Sequence, residues 1–136
     1  MEVVIEMTLP RNARSAPLAR RTLDASLSGL GVTGEIRADI ALALGEACAN
    51  VIRHANAGDE YEVHAHLDDR VCVVEVIDGG QCSADPSTWD RGGAPLGAEH
   101  GRGLQLIRAF TEELRIGPRP HAPGSVVHFE KSLIAS

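Results

Sequence analysis

The sequence is short of aromatic side chains. Among 136 residues only Tyr61, Trp89, Phe110 and Phe129 carry rings, so a core built from this chain is aliphatic. Cysteine is scarce as well. Cys48, Cys72 and Cys82 are odd in number and form no CxxC pair, which argues against a disulfide framework and for a reducing, cytoplasmic setting. No stretch approaches the roughly 20 apolar residues of a spanning helix. The opening Met1-Glu2-Val3-Val4-Ile5-Glu6 places acid where a secretion signal needs Lys or Arg. Basic runs are missing too. Thirteen Lys and Arg against nineteen Asp and Glu give a net charge of −6, a poor balance for a duplex-nucleic-acid binder, whose affinity rests on neutralised phosphates. The expectation is a cytoplasmic protein with no direct hold on nucleic acid or membrane.

The remaining composition is that of an ordinary folded domain. Apolar residues make up 43% and charged residues 24%, with a mean hydropathy of −0.07, which excludes collagen and a disordered tail. The length predicts one domain over 1–136. Val3 to Leu9 reads as a strand closed by Pro10. Ala16, Ala19, Leu23, Leu27 and Leu30 recur every three or four residues and predict a helix from about Arg14, ended by Gly29 and Gly31. Thr33 is the expected N-cap of a second helix running to about Ala55. Alternation at Tyr61, Val63, Ala65 and Leu67 predicts a strand, and the apolar run Val71–Ile77 predicts a central one, stopped at Asp78-Gly79-Gly80.

Residues 79–99 contain five Gly and two Pro without periodicity, and loops of that length are commonly lids. A helix opened by Gly101-Arg102-Gly103, a strand near Leu114–Gly117, a Pro-rich turn and a last strand over Ser125–Leu133 complete the order β-α-α-β-β-lid-α-β-β. Strands and helices alternate too irregularly for a doubly wound sheet. The pattern predicts an α+β fold, a mixed sheet with three helices on one face.

Three places carry chemistry. Glu46, Asn50 and His54 are spaced i, i+4, i+8 and so share a stripe about 80° wide, bordering the apolar face of Ile40, Leu44, Ala47, Val51 and Ala55. The stripe fits either a cleft lining or a solvated flank. Asp78 ends an apolar strand and, where desolvated, needs a donor such as an exocyclic amine; a plain turn-forming Asp is the alternative. Gly101-x-Gly103 at a helix start suits an anion. It is not the dinucleotide fingerprint, because Leu106 occupies the third glycine's position, and no P-loop is present.

Taken together, Glu46-x3-Asn50-x3-His54-Ala55, Asp78-x-Gly80, Gly101-x-Gly103-Leu104 and Gly124-Ser125 resemble the N box, glycine boxes and final Gly-Thr element of the histidine-kinase-like (GHKL, Bergerat-fold) ATPases. GEACANVIRHA (45–55) and GRGLQLIRAF (101–110) resemble the bacterial anti-sigma-factor serine/threonine kinases. The resemblance spans the chain and implies a two-layer sandwich with an ATP lid at about 79–100. It implies ATP and Mg2+ as cofactors, with Asn50 on the metal and Glu46 as general base. Asp78 and Ser125 would read adenine and Gly80 would give it room. Gly101, Arg102 and Gly103 would meet the phosphates, and His54 and Leu104 would line the cleft. It further implies a homodimer that sequesters a sigma factor and phosphorylates a STAS-type anti-anti-sigma protein. The alternative is a kinase-inactive binding module of the same fold.

Two positions depart from the family pattern: Cys82 replaces a glycine of the first box, and Glu99-His100 replaces a basic residue before the second, leaving Arg91 and Arg102 as cations for the γ-phosphate. Other signals have plainer readings. Gly79-Gly80-Gln81 spells a peptide-release tripeptide, but the acidic charge opposes RNA binding. His64 and His66 fit a wet strand face, and Cys48 and Cys72 fit the core.

Overall fold

The protein is described by a computed structural model covering residues 1–54, 60–78, 98–119 and 124–134, with the side chains of 54 and 98–102 left aside. Its elements are β1 (Val3–Pro10), α1 (Ser15–Gly29), α2 (Gly34–His54), β2 (Glu60–Leu67), β3 (Val71–Asp78), α3 (Ala98–Phe110), β4 (Glu113–Pro118) and β5 (Ser125–Ser132). The expected lid falls outside the described residues except at 98–100, which belong to α3.

Local chemistry explains the boundaries. Helix α1 ends because Gly31 takes φ +83, letting Val32 N donate to Leu27 O at 3.1 Å and Gly31 N to Ser28 O at 3.0 Å, a left-handed glycine cap. Thr33 caps α2 as expected, its Oγ1 accepting from Ile36 N at 3.4 Å. The β2–β3 turn closes on Asp68, whose Oδ1 accepts from Arg70 N at 2.7 Å and Val71 N at 2.8 Å. Those two backbone bonds hold its carboxyl below the usual range.

Helix α3 begins at Ala98, one turn before the expected Gly101. Ala98 and Glu99 are good helix formers, so the helix starts on them and Gly101 and Gly103 lie within its first two turns.

The five strands lie in the order β1-β2-β3-β5-β4, and every pairing is antiparallel. The expected mixed sheet is corrected on this point. The chain leaves β3, crosses through α3 and enters β4 running parallel to β3. Strand β5 then inserts between them, antiparallel to both, so no parallel neighbours remain. The α+β class and the three helices on one face stand as expected.

Register sorts the two faces. The inner face carries Val63, Ala65, Leu67, Val74, Val76, Val127 and Phe129, all buried against Leu23, Leu27, Ile40, Leu44, Val51 and Ile107 of the helices. The outer face is ionic. One row across all five strands reads Glu6, His64, Glu75, His128, Arg115, acid alternating with base as far as His128, which neighbours a second base. His128 bonds Glu75 Oε2 through Nδ1 at 2.9 Å and Glu130 Oε2 through Nε2 at 2.8 Å. The latter contact holds the Glu130 carboxyl below its usual range. His64 and His66 likewise meet Glu62 and Glu2, the wet strand face read from the sequence.

Cys48 and Cys72 are free and buried in the core. Burial raises their thiols to about 11 and about 12, which leaves almost no thiolate at neutral pH. Alkylation of the native protein at pH 8, mapped by mass spectrometry, is expected to leave both unmodified until denaturant is added.

Candidate functional site

Three sequence-selected groups, Asp78, Ser125 and Asn50, are buried polar residues of the inner side. Asp78 and Ser125 are direct register partners on β3 and β5. Both fall on the inner, helix-facing side, because two-residue alternation continues from Val74 and Val76 to Asp78 and from Phe129 and Val127 to Ser125. Asp78 is fully buried and Ser125 is 2% exposed. Asn50, on the C-terminal half of α2, is 1% exposed, although its neighbours Ala47 and Val51 are core residues.

The polar atoms of Asn50 and Ser125 are the unusual feature. Neither Nδ2 nor Oδ1 of Asn50 has a hydrogen-bond partner among the described residues, and Ser125 Oγ has none either. Buried amides and hydroxyls are nearly always satisfied, since an orphan costs about 1–3 kcal/mol. A buried amide oxygen, amide nitrogen and hydroxyl with no partner among the described residues suit a polar ligand.

Asp78 is held by a residue that spacing did not single out. Arg11 Nη2 donates to Asp78 Oδ1 at 2.8 Å, and Nη1 donates to Val51 O at 2.8 Å. The pair is buried, with 10% of the arginine side chain and none of the aspartate exposed. Nothing in the periodicity marks Arg11; it simply follows the Pro10 that ends β1.

Gly124 brings β5 against Asp78. Its φ is +115, and a Cβ there would stand 1.9 Å from Asp78 O, so only glycine fits.

The second half of the site lies along the α2–α3 seam. Glu46 is half-buried, and a Cβ on Gly103 would stand 3.5 Å from its Oε1 and 3.9 Å from Arg53 Nη2. Glu46 and Arg53 thus flank the glycine of α3. Arg53, at i+7 from Glu46 and i+3 from Asn50, was legible as a member of the same stripe. Leu104 is buried in the core beside Ile107, where it anchors α3. His54 is the last residue of α2, and Gly101 and Arg102 are helical. Gly80 lies outside the described residues, as do Cys82, Trp89 and Arg91.

Two other features lie elsewhere. A cavity of about 440 Å³ opens on the outer face of the sheet, lined by Ile77, Val126, Arg115 and His128 among others. Glu113, His128 and Glu130 bring three ligand atoms within 4.8 Å of one another. There Arg115 Nη2 already stands 3.1 Å from His128 Nε2, supplying the counter-charge.

Two stability measurements test this geometry. Asn50→Leu, close in volume and free of polar atoms, is expected to raise the stability of the unliganded protein by about 1–2 kcal/mol in urea unfolding. Gly124→Ala is expected to lose about 1–3 kcal/mol or more, through forced φ and the clash with Asp78; an unchanged midpoint would refute the close approach.

Comparison with known proteins places the chain in a family. The description "Histidine kinase-like ATPase domain" matches residues 9–131. The serine-protein kinase RsbW of Bacillus subtilis is 29% identical over 124 residues, 82% of this chain and 76% of that one. RsbW of Halalkalibacterium halodurans is 31% identical over 122 residues, 82% of this chain and 74% of that one. The crystal structure of the RsbU and RsbW domains of a Mycobacterium tuberculosis protein superposes with a TM-score of 0.69 at 25% identity over 95% of this chain. The chain spans only 31% of that longer protein. With matched residues running from Leu9 in β1 to Lys131 in β5, the chain belongs to the histidine kinase-like ATPase family, among relatives named serine-protein kinase RsbW.

Proposed function

We propose that this chain is a cytoplasmic, ATP- and Mg2+-dependent serine/threonine protein kinase and anti-sigma factor. In this reading it sequesters a sigma factor as a homodimer and releases it by phosphorylating a STAS-type anti-anti-sigma protein. Residues 1–136 form one ATPase domain, with a lid in the stretch between β3 and α3. The observation that carries the reading is the set of buried polar atoms on Asn50 and Ser125 that have no partner among the described residues, together with buried Asp78. An ATPase of this family needs polar receptors there, and a protein-binding module that had lost its nucleotide would not keep them. The relatives named as serine-protein kinases support the same conclusion.

The residues present fit the ligands. The Asn50 Oδ1 is a hard neutral oxygen donor, suited to Mg2+ alongside phosphate oxygens. Bound there, Mg2+ supplies charge neutralisation at the phosphates. Asp78 accepts the adenine amine, with Ser125 Oγ beside it and Gly80 giving the base room. Gly101, Arg102 and Gly103 meet the phosphates from the first two turns of α3, where the glycines leave room for a phosphate to approach the helix backbone. His54 and Leu104 complete the cleft wall. Glu46, one turn before Asn50, orients the acceptor hydroxyl. Its oxygen attacks the γ-phosphorus as the bond to the β-phosphate oxygen breaks, its proton passes to the Glu46 carboxylate, and ADP departs.

The decisive assay is transfer of labelled γ-phosphate to a STAS-type anti-anti-sigma protein from the same organism. Glu46→Ala is expected to slow transfer about 100-fold or more while changing the ATP dissociation constant little. ATP binding without transfer by the unmodified protein would instead establish the kinase-inactive module, which the departures at Cys82 and Glu99 favour.

A further inference from the structure

Arg11 does more than neutralise a buried charge. Its guanidinium is shared among three elements: Nη1 reaches Val51 O on α2 at 2.8 Å, and Nη2 reaches Asp78 Oδ1 at the end of β3 at 2.8 Å and Glu60 O at the start of β2 at 3.3 Å. A guanidinium is planar and permanently charged, with donors in a fixed fork. Three acceptors in three directions therefore fix its plane. The terminal torsion of an aspartate is intrinsically broad, so the bond to Oδ1 also sets the plane of the Asp78 carboxylate. Val51 is the residue after Asn50, so the same guanidinium fastens that carboxylate to the stretch of α2 that presents the orphan amide.

We infer that Arg11 is the positioning residue for base selection. It holds the Asp78 carboxylate in the plane in which it accepts an exocyclic amine, and so makes the site prefer adenine over a purine without that donor. The inference rests on the ATP reading of the site and adds a specificity determinant to it. A fixed carboxylate welcomes the amine of adenine and repels the carbonyl oxygen that guanine presents at the same ring position. A carboxylate free to rotate would discriminate less. Arg11 itself touches no nucleotide in this scheme; it acts through Asp78.

The test compares ATP with purine riboside triphosphate, which differs from ATP only by lacking the exocyclic amine, by titration calorimetry. Arg11→Lys keeps the charge but replaces the planar fork with a point donor. It is expected to weaken ATP binding about tenfold while changing the affinity for purine riboside triphosphate less than about twofold, collapsing the preference. Equal losses for both nucleotides, or no loss for either, in a folded variant would reduce Arg11 to a structural role and overturn the inference. Should the unmodified protein bind neither nucleotide, the ATP reading itself fails, which is a separate result.

If the variant does not fold, the unmodified protein supplies the answer through its arginine side-chain nitrogen resonances. The Arg11 signals are expected to move on adding ATP, and to move much less with purine riboside triphosphate. Identical shifts with both would overturn the inference.

Discussion

Helix α2 is covered on most of its circumference, and this burial is the constraint on which the site depends. Ile40, Leu44, Ala47, Cys48 and Val51 are buried in the core, α1 and α3 pack along its flanks, and exposure is left to positions such as Ala38, Leu42 and Arg53. A helix so enclosed favours small and aliphatic side chains, and α2 supplies them nearly throughout. Among its described side chains the one buried polar residue is Asn50, with Glu46 half-buried at the α3 seam. Their setting is created by the packing of the helix. The sheet end contributes Asp78 and Ser125 through register alone, so a slip of one residue in β3 would turn Asp78 outward, and one in β5 would turn Ser125 outward.

Much of this was legible before the fold was known. The helices and strands follow apolar periods of 3.6 and 2, and the caps at Gly31 and Thr33 were visible as residue types with one stereochemical use each. The boxes around Asn50, Asp78, Gly103 and Ser125 pointed to one family, and the chain belongs to it. Legibility was high where a local rule applied.

It failed where geometry is non-local. Arg11 and Asp78 are 67 residues apart, and no spacing rule connects an arginine after one strand to an aspartate at the end of another. The strand directions were misjudged because the insertion of β5 between β3 and β4 is decided by long-range pairing. The early start of α3 reflects propensity outweighing the glycine signal: Ala98 and Glu99 carry the helix back one turn. Arg53 was a different kind of omission, since its place on the Glu46–Asn50 stripe follows from counting.

The unsatisfied amide of Asn50 has a consequence for the life of the protein. In the unliganded molecule those atoms raise the free energy of the folded state, and whatever satisfies them lowers it, so the folded fraction rises with the concentration of that ligand. Proteases act on transiently opened chains in proportion to their population. The abundance of this protein would then track the supply of its ligand without any change in synthesis, making the half-life of the chain a readout of what fills the site.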